Sequence, residues 1–247
     1  MNVYTEIEKK RKAGKKQFAV LVDPDKSTGK STKEIAQIAE SAQVDYLFVG
    51  GSLLTNGNLT NCVKTLKKNC SLPVVLFPGS TVQIDKNADA ILFLSLISGR
   101  NPDLLIGNHV IAAPMLREIK LETIATGYML IEGGNFTAVQ YMSNTRPIPS
   151  QKIEIGVCTA LAGEMLGMKM IFMDAGSGAL NPVNEKMISS VRKNISIPLI
   201  VGGGILTAEK AAALCNAGAD IIVVGNSIEK DFSLIAKISK AVHSIRL

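Results

Sequence analysis

The stretch PLIVGGGILTAEKAAALCNAGADIIVVGN, residues 198–226, decides how the whole chain is read. Two short runs rich in Val and Ile each break off at glycine, and TAEKAAALCNAG between them spaces its apolar residues three and four apart, as a helix does. Neither run alternates apolar with polar residues, so both faces of each strand are covered, which is the pattern of parallel strands enclosed by helices. Outward from this unit the same alternation continues almost to both ends. Strand candidates are FAVLVD (18–23), YLFVGG (46–51), PVVLFPG (73–79), AILFLSLI (90–97), TGYMLIEGG (126–134), KMIFMDAG (169–176), PLIVGGG (198–204) and DIIVVGN (220–226). Helical spacing recurs in STKEIAQIAESAQ, NCVKTLKKN, GVCTALAGEMLG and NEKMISSVRKN, several of them closed by glycine or asparagine. Eight strand–helix units in 247 residues predict a (β/α)8 TIM barrel, one domain over residues 1–247. The third unit is the weak one: STVQIDKNA is short and β-branched, so its helix is expected to be degenerate.

Composition agrees. Apolar residues make up 47% of the chain and tryptophan is absent, so Val, Ile, Leu, Ala and Met must fill the core. No apolar run reaches the roughly 18 to 20 residues that span a bilayer, and MNVYTEIEKKRK lacks the apolar segment of a secretory signal. The expectation is a cytoplasmic protein with at most peripheral membrane contact. Cys62, Cys70, Cys158 and Cys215 are widely spaced with no C-x-x-C pair, and read as reduced, buried thiols. Part of the net charge of +6 lies in KKRKAGKK (9–16), read as the solvated side of a first helix or as an attractor of anionic lipid or phosphorylated substrates. No aromatic residues are interleaved with these bases and no reader motif follows, which argues against nucleic acid.

In a barrel of this kind the ends of strands seven and eight commonly hold a phosphate on backbone N–H groups. Gly202, Gly203, Gly204, Gly225 and Asn226 fall there, and glycine keeps side chains out of the anion's way while allowing positive φ. A phosphorylated small molecule is therefore the expected ligand. At the end of strand one, LVDPDKS presents Asp23, and at the end of strand two VGGSLL presents Ser52. A carboxylate and a hydroxyl on adjacent strand ends suit a hard cation such as Mg2+, while Asp23 as a turn cap is the alternative. Strand six ends in FMDAGSGAL, where Asp174 serves either as a proton acceptor or as a structural cap. Strand five contributes Tyr128 and Glu132. His109 and His243, the two histidines, fall in helical segments away from the strand ends and read as structural.

Taken in order, DPDK, VGGS, DAGSGA, VGGGI and VVGN resemble the geranylgeranylglyceryl phosphate synthase family over essentially the whole sequence. The resemblance implies a prenyltransferase that joins sn-glycerol 1-phosphate to geranylgeranyl diphosphate or a similar polyprenyl diphosphate. It implies Asp23 and Ser52 as the magnesium positions and Tyr128 as an aromatic residue of the substrate pocket. Phe172, Met173, Asp174, Ala175, Gly176, Ser177 and Gly178, with Gly203, Gly204, Gly225 and Asn226, match the glycerol phosphate positions, with Asp174 as the base. A homo-oligomer is also implied. Two departures stand out. FMDAGSG replaces the family's YLEAGSG, removing a phenol at Phe172 and shortening the carboxylate at Asp174 by one methylene, and GYMLIEGG replaces a VxPG-like ending. If Asp174 is the base, a backbone shift or a bridging water must restore its reach. The competing readings are a sugar-phosphate isomerase, which would want paired acids on strands one and five, and a non-catalytic sensor of a phosphorylated ligand.

Overall fold

The computed structural model describes residues 2–246. Eight parallel strands close into a barrel in chain order: β1 (Gln17–Val22), β2 (Tyr46–Val49), β3 (Val74–Leu76), β4 (Ala90–Leu96), β5 (Glu122–Leu130), β6 (Met170–Asp174), β7 (Leu199–Gly202) and β8 (Ile221–Val224). The helices are α1 (Val3–Lys12), α2 (Gly29–Ser41), α3 (Leu59–Asn69), α4 (Asn108–Ile119), α5 (Ala138–Ser143), α6 (Ile153–Met165), α7 (Glu185–Asn194), α8 (Ala208–Ala217), α9 (Asn226–Lys230) and α10 (Ser233–Ser244). The third unit has no helix; residues 77–89 return from β3 to β4 as turns, as the β-branched STVQIDKNA predicts.

Alternate side chains along each strand face inward and outward. Ala19, Phe48, Leu92, Ile124 and Ile200 fill the barrel, while Val20, Val49, Ile91, Met129 and Val201 pack beneath the helices. Strand starts share one device: Asp45, Asp89 and Asp220 each stand one residue before an even-numbered strand. Their carboxylates accept the N–H groups of Phe18, Val74 and Leu199 on the strand before.

Three details depart from the sequence reading. β5 begins at Glu122, four residues before the expected start, because Glu122–Ala125 pairs with β4 although polar residues interrupt its apolar pattern. The basic N-terminal segment is not simply solvated. α1 lays Val3 and Ile7 against the inner core and closes the N-terminal end of the barrel, where Glu122 accepts the N–H groups of Val3 (2.7 Å) and Tyr4 (2.9 Å). Lys16 is buried beside Asp220 at 3.7 Å, and burial lowers its pKa. Of the cysteines, all free, Cys62 and Cys215 are buried, but Cys158 is exposed on α6.

Between β4 and α4 the wall opens. A single π-helical turn, Asp103–Gly107, leads into α4, which carries Pro114 within it. α4 buries Ala112 and Leu116 in the same apolar layer as Ile91 of β4.

Candidate active site

A cavity of about 850 Å3 opens at the C-terminal ends of the strands. One arm reaches the loops after β6, β7 and β8. The other runs across the barrel mouth and beneath α4, between Ile91 and Phe93 on β4 and Ala112 and Leu116 on the helix.

The first arm is lined with backbone. Gly176, Gly178, Gly203 and Gly204 all adopt positive φ, between 67° and 90°, which only glycine reaches without strain. At Gly203 a methyl group would fall 2.6 Å from the Asp174 carboxylate and 2.7 Å from the Gly176 nitrogen. Among the described residues, the N–H groups of Ser177, Gly178, Gly203 and Gly204 find no acceptor in the protein. N–H groups left without acceptors on two adjacent loops are suited to cradle an anion. Asn226, at the start of α9, closes this arm: its Oδ1 accepts the Ser177 hydroxyl (2.9 Å) and the Lys26 ammonium (3.2 Å).

At the junction of the two arms lies Asp174, the last residue of β6. Its Oδ2 accepts the Tyr128 hydroxyl at 2.7 Å and its Oδ1 accepts the Gly176 N–H at 2.7 Å. Burial pushes Asp174 above the usual carboxylate range, against the opposing pull of these two donors. Burial and the neighbouring Asp174 carboxylate likewise raise Tyr128 well above a free phenol. Phe172 stacks on Phe77 (5.2 Å between ring centres) and meets Tyr128 edge to face (5.5 Å), so the position without a phenol is packed as an aromatic wall.

Asp23 and Ser52 both line the cavity, on the neighbouring loops after β1 and β2. Asp23 Oδ1 accepts the Asp25 N–H, and Lys26 Nζ stands 3.4 Å from Oδ2 and 3.2 Å from Glu229. Asp25 of the DPDK run ties the two loops together: its carboxylate accepts the N–H groups of Thr55, Asn56 and Gly57, which hold its pKa down at about 2.

Of the predicted positions, Asp23, Ser52, Tyr128, Phe172, Asp174, Gly176, Ser177, Gly178, Gly203, Gly204, Gly225 and Asn226 share this cavity. Met173 and Ala175 do not. The strand's alternation turns them outward, and both pack in the layer beneath the helices. Glu132 also lies outside the cavity and accepts the Ser150 N–H, so no second acid faces Asp23 from β5. His243 binds Asp45 from α10. His109 is buried against Phe93 and the Ser95 hydroxyl, on the α4 side of the second arm. Sequence reasoning missed Phe77 and Gln83. Buried Gln83 accepts from the Gly51 and Gly79 N–H groups and donates to the Gly51 carbonyl, so it sets the loop that carries Ser52. A polar residue in a helix-less unit was its one signal.

A closed parallel barrel with an amide-lined arm after β6 to β8 and an apolar arm across its mouth is a (β/α)8 barrel with a candidate anion site at its C-terminal rim. Comparison with known proteins narrows this. The chain belongs to the PcrB family, which it matches over residues 9–243. It is 55% identical to a geranylgeranylglyceryl phosphate synthase of Chitinophaga pinensis over 242 residues, 98% of this chain and 96% of that protein. It is 41% identical to one of Pyrococcus furiosus over 233 residues, covering 94% and 90%. Its fold superposes with a TM-score of 0.93 on the crystal structure of (S)-3-O-geranylgeranylglyceryl phosphate synthase from Thermoplasma acidophilum in complex with sn-glycerol-1-phosphate. That protein is 31% identical, with 99% of this chain and 100% of the other covered.

Proposed function

We infer that this chain is a prenyltransferase that joins sn-glycerol 1-phosphate to geranylgeranyl diphosphate or a similar polyprenyl diphosphate, releasing pyrophosphate. The observation that carries the reading is the position of Asp174, a buried carboxylate where an amide-lined arm meets an apolar one. An anion cradle on one side suits the phosphate of a small polar acceptor, and an apolar arm on the other suits a hydrocarbon tail. The family relationship and the named relatives support the same assignment.

In this reading the free amides of residues 177–178 and 203–204 hold the acceptor phosphate. The primary hydroxyl of the acceptor then reaches toward Asp174. As that oxygen bonds to the allylic carbon, the bond from carbon to diphosphate breaks and Asp174 takes the hydroxyl proton. Tyr128 and the Gly176 N–H keep the carboxylate in one orientation throughout. The shorter side chain is met by a phenol on β5, and this pairing supports Asp174 as a base in spite of its lost methylene.

Magnesium fits the residues present. Among the described residues no three carboxylate, imidazole or thiol groups converge on one point, but Mg2+ keeps several waters and takes only one or two carboxylates together with substrate phosphates. Asp23 and Ser52 supply hard oxygen donors on adjacent loops of the same cavity, and they would hold it. When bound, Mg2+ neutralises charge on the departing diphosphate. No described helix is long and apolar enough to cross a membrane, and the free cysteines support a reducing compartment, in keeping with the cytoplasm.

One assay tests the reading. Incubation with radiolabelled sn-glycerol 1-phosphate, geranylgeranyl diphosphate and Mg2+ should give butanol-extractable label. Binding of the acceptor without product would instead favour a sensor, and the absence of both would favour another barrel enzyme.

A further inference from the structure

We propose that the C-terminal rim of the barrel docks on a lipid bilayer through apolar contact. A lipid-tailed ligand then passes between bilayer and cavity without crossing water. The first observation is an asymmetry in what is left exposed. Leu53, Val82, Phe136, Leu180 and Leu206 are exposed on the loops that follow β2, β3, β5, β6 and β7. At the opposite end of the barrel, among the described residues, the exposed large apolar side chains are Met165 and Leu166, where α6 finishes. Apolar groups gathered on one face mark a surface with a partner.

What that partner is follows from the cavity. Leu53, Leu206 and Ile111 are 52%, 58% and 68% exposed, and all three also line the cavity. These three side chains thus belong both to the exposed surface and to the lining of the cavity that passes beneath α4. A second copy of the chain seated there would cover the mouth, whereas a bilayer presents hydrocarbon to it and leaves it usable. Phe136 and Tyr141, exposed and edge to face at 6.4 Å, suit the interfacial zone where aromatic rings collect.

Charge complementarity points to apolar docking. The basic residues Lys9, Lys10, Arg11 and Lys12 belong to α1, at the end of the barrel that faces away from the rim. The rim itself mixes signs, with Asp25 and Asp103 against Lys26 and Arg100 on the loops after β1 and β4. A zwitterionic bilayer is thus sufficient, and added salt does not release the protein. The passage of the tail rests on the prenyl-transfer reading above, but docking does not, and it is measured without substrate.

The test is co-sedimentation of the full chain with vesicles of pure phosphatidylcholine at low and high salt, with light scattering on the same samples before vesicles are added. The variant pair Phe136→Asp with Leu180→Asp alters the rim at residues that do not line the cavity. Met165→Asp with Leu166→Asp alters the other end. Wild type and the second pair should sediment alike at both salt concentrations. The rim pair should lose binding by about tenfold or more, since two charges enter the apolar contact, with its mass in solution unchanged. Should that pair fail to fold, Val82→Asp carries the same comparison.

Absence of wild-type sedimentation, release by salt, or equal loss in both pairs overturns the proposal. So does a change of mass in the rim pair, which would make the rim a contact between copies. Sedimentation without prenyl transfer would reject the reaction and leave the docking intact.

Discussion

Asp174 carries two opposed demands. As a base it must ionise, yet burial raises its pKa. Turnover should therefore fall as pH drops through a value above the ordinary carboxylate range near 4, and a pH profile of kcat will show that acid limb. The Tyr128 hydroxyl bond lowers the Asp174 pKa, so Tyr128→Phe should move the limb to higher pH. For stability the sign is the reverse of an ion-paired acid. A raised folded pKa contributes stability below the unfolded pKa, and that contribution is lost as pH rises through the folded value. Asp174→Asn should thus lower kcat by roughly 100-fold or more while its melting temperature at neutral pH stays level or rises. A marked fall in melting temperature would mean that the carboxylate is chiefly structural. Much of this was legible in FMDAGSG, because a carboxylate followed by glycines at a strand end is a local pattern. Its partner was not, since Tyr128 lies 46 residues away and only the β5–β6 register brings them together.

Among the elements, the strands were legible because residues buried on both faces leave near-continuous apolar runs, and the missing third helix was legible because nothing in STVQIDKNA favours one. α1 was not. Seven of the nine residues Glu8–Lys16 are charged, and only Val3 and Ile7, four apart on one face, mark its buried side. Its first N–H groups are satisfied by Glu122, 118 residues or more away, which also places a negative charge at the positive end of the helix. Glu122→Ala should destabilise the protein by about 1 to 2 kcal/mol and leave KM for glycerol phosphate unchanged. Denaturant melts and steady-state kinetics check the two halves separately.

For the molecule as a whole, one carboxylate gathers both ends of the chain. Asp45 binds Lys10 of α1 (2.6 Å), His243 of α10 (2.8 Å) and the Phe18 N–H of β1 (2.8 Å). Burial opposes its ionisation, but the His243 bond and Lys10 outweigh that and hold Asp45 below the usual range. Its contribution is present above the unfolded pKa of about 3.9 and is lost as pH falls through the lower folded value. Asp45→Asn should therefore cost about 2 kcal/mol, or roughly 5 °C, at neutral pH, and the gap from wild type should shrink in melts at pH below that range. The His243 side of this cluster could not be read from sequence, because 198 residues separate the partners.

With α1 packed across the base, the cavity that holds Asp174 opens on the rim side of the barrel. Donor, acceptor and lipid product then share that side, and a finished ether that lingers occupies the path of the next donor. Inhibition by that product should be competitive toward the prenyl diphosphate, and a sink for hydrocarbon outside the opening should relieve it.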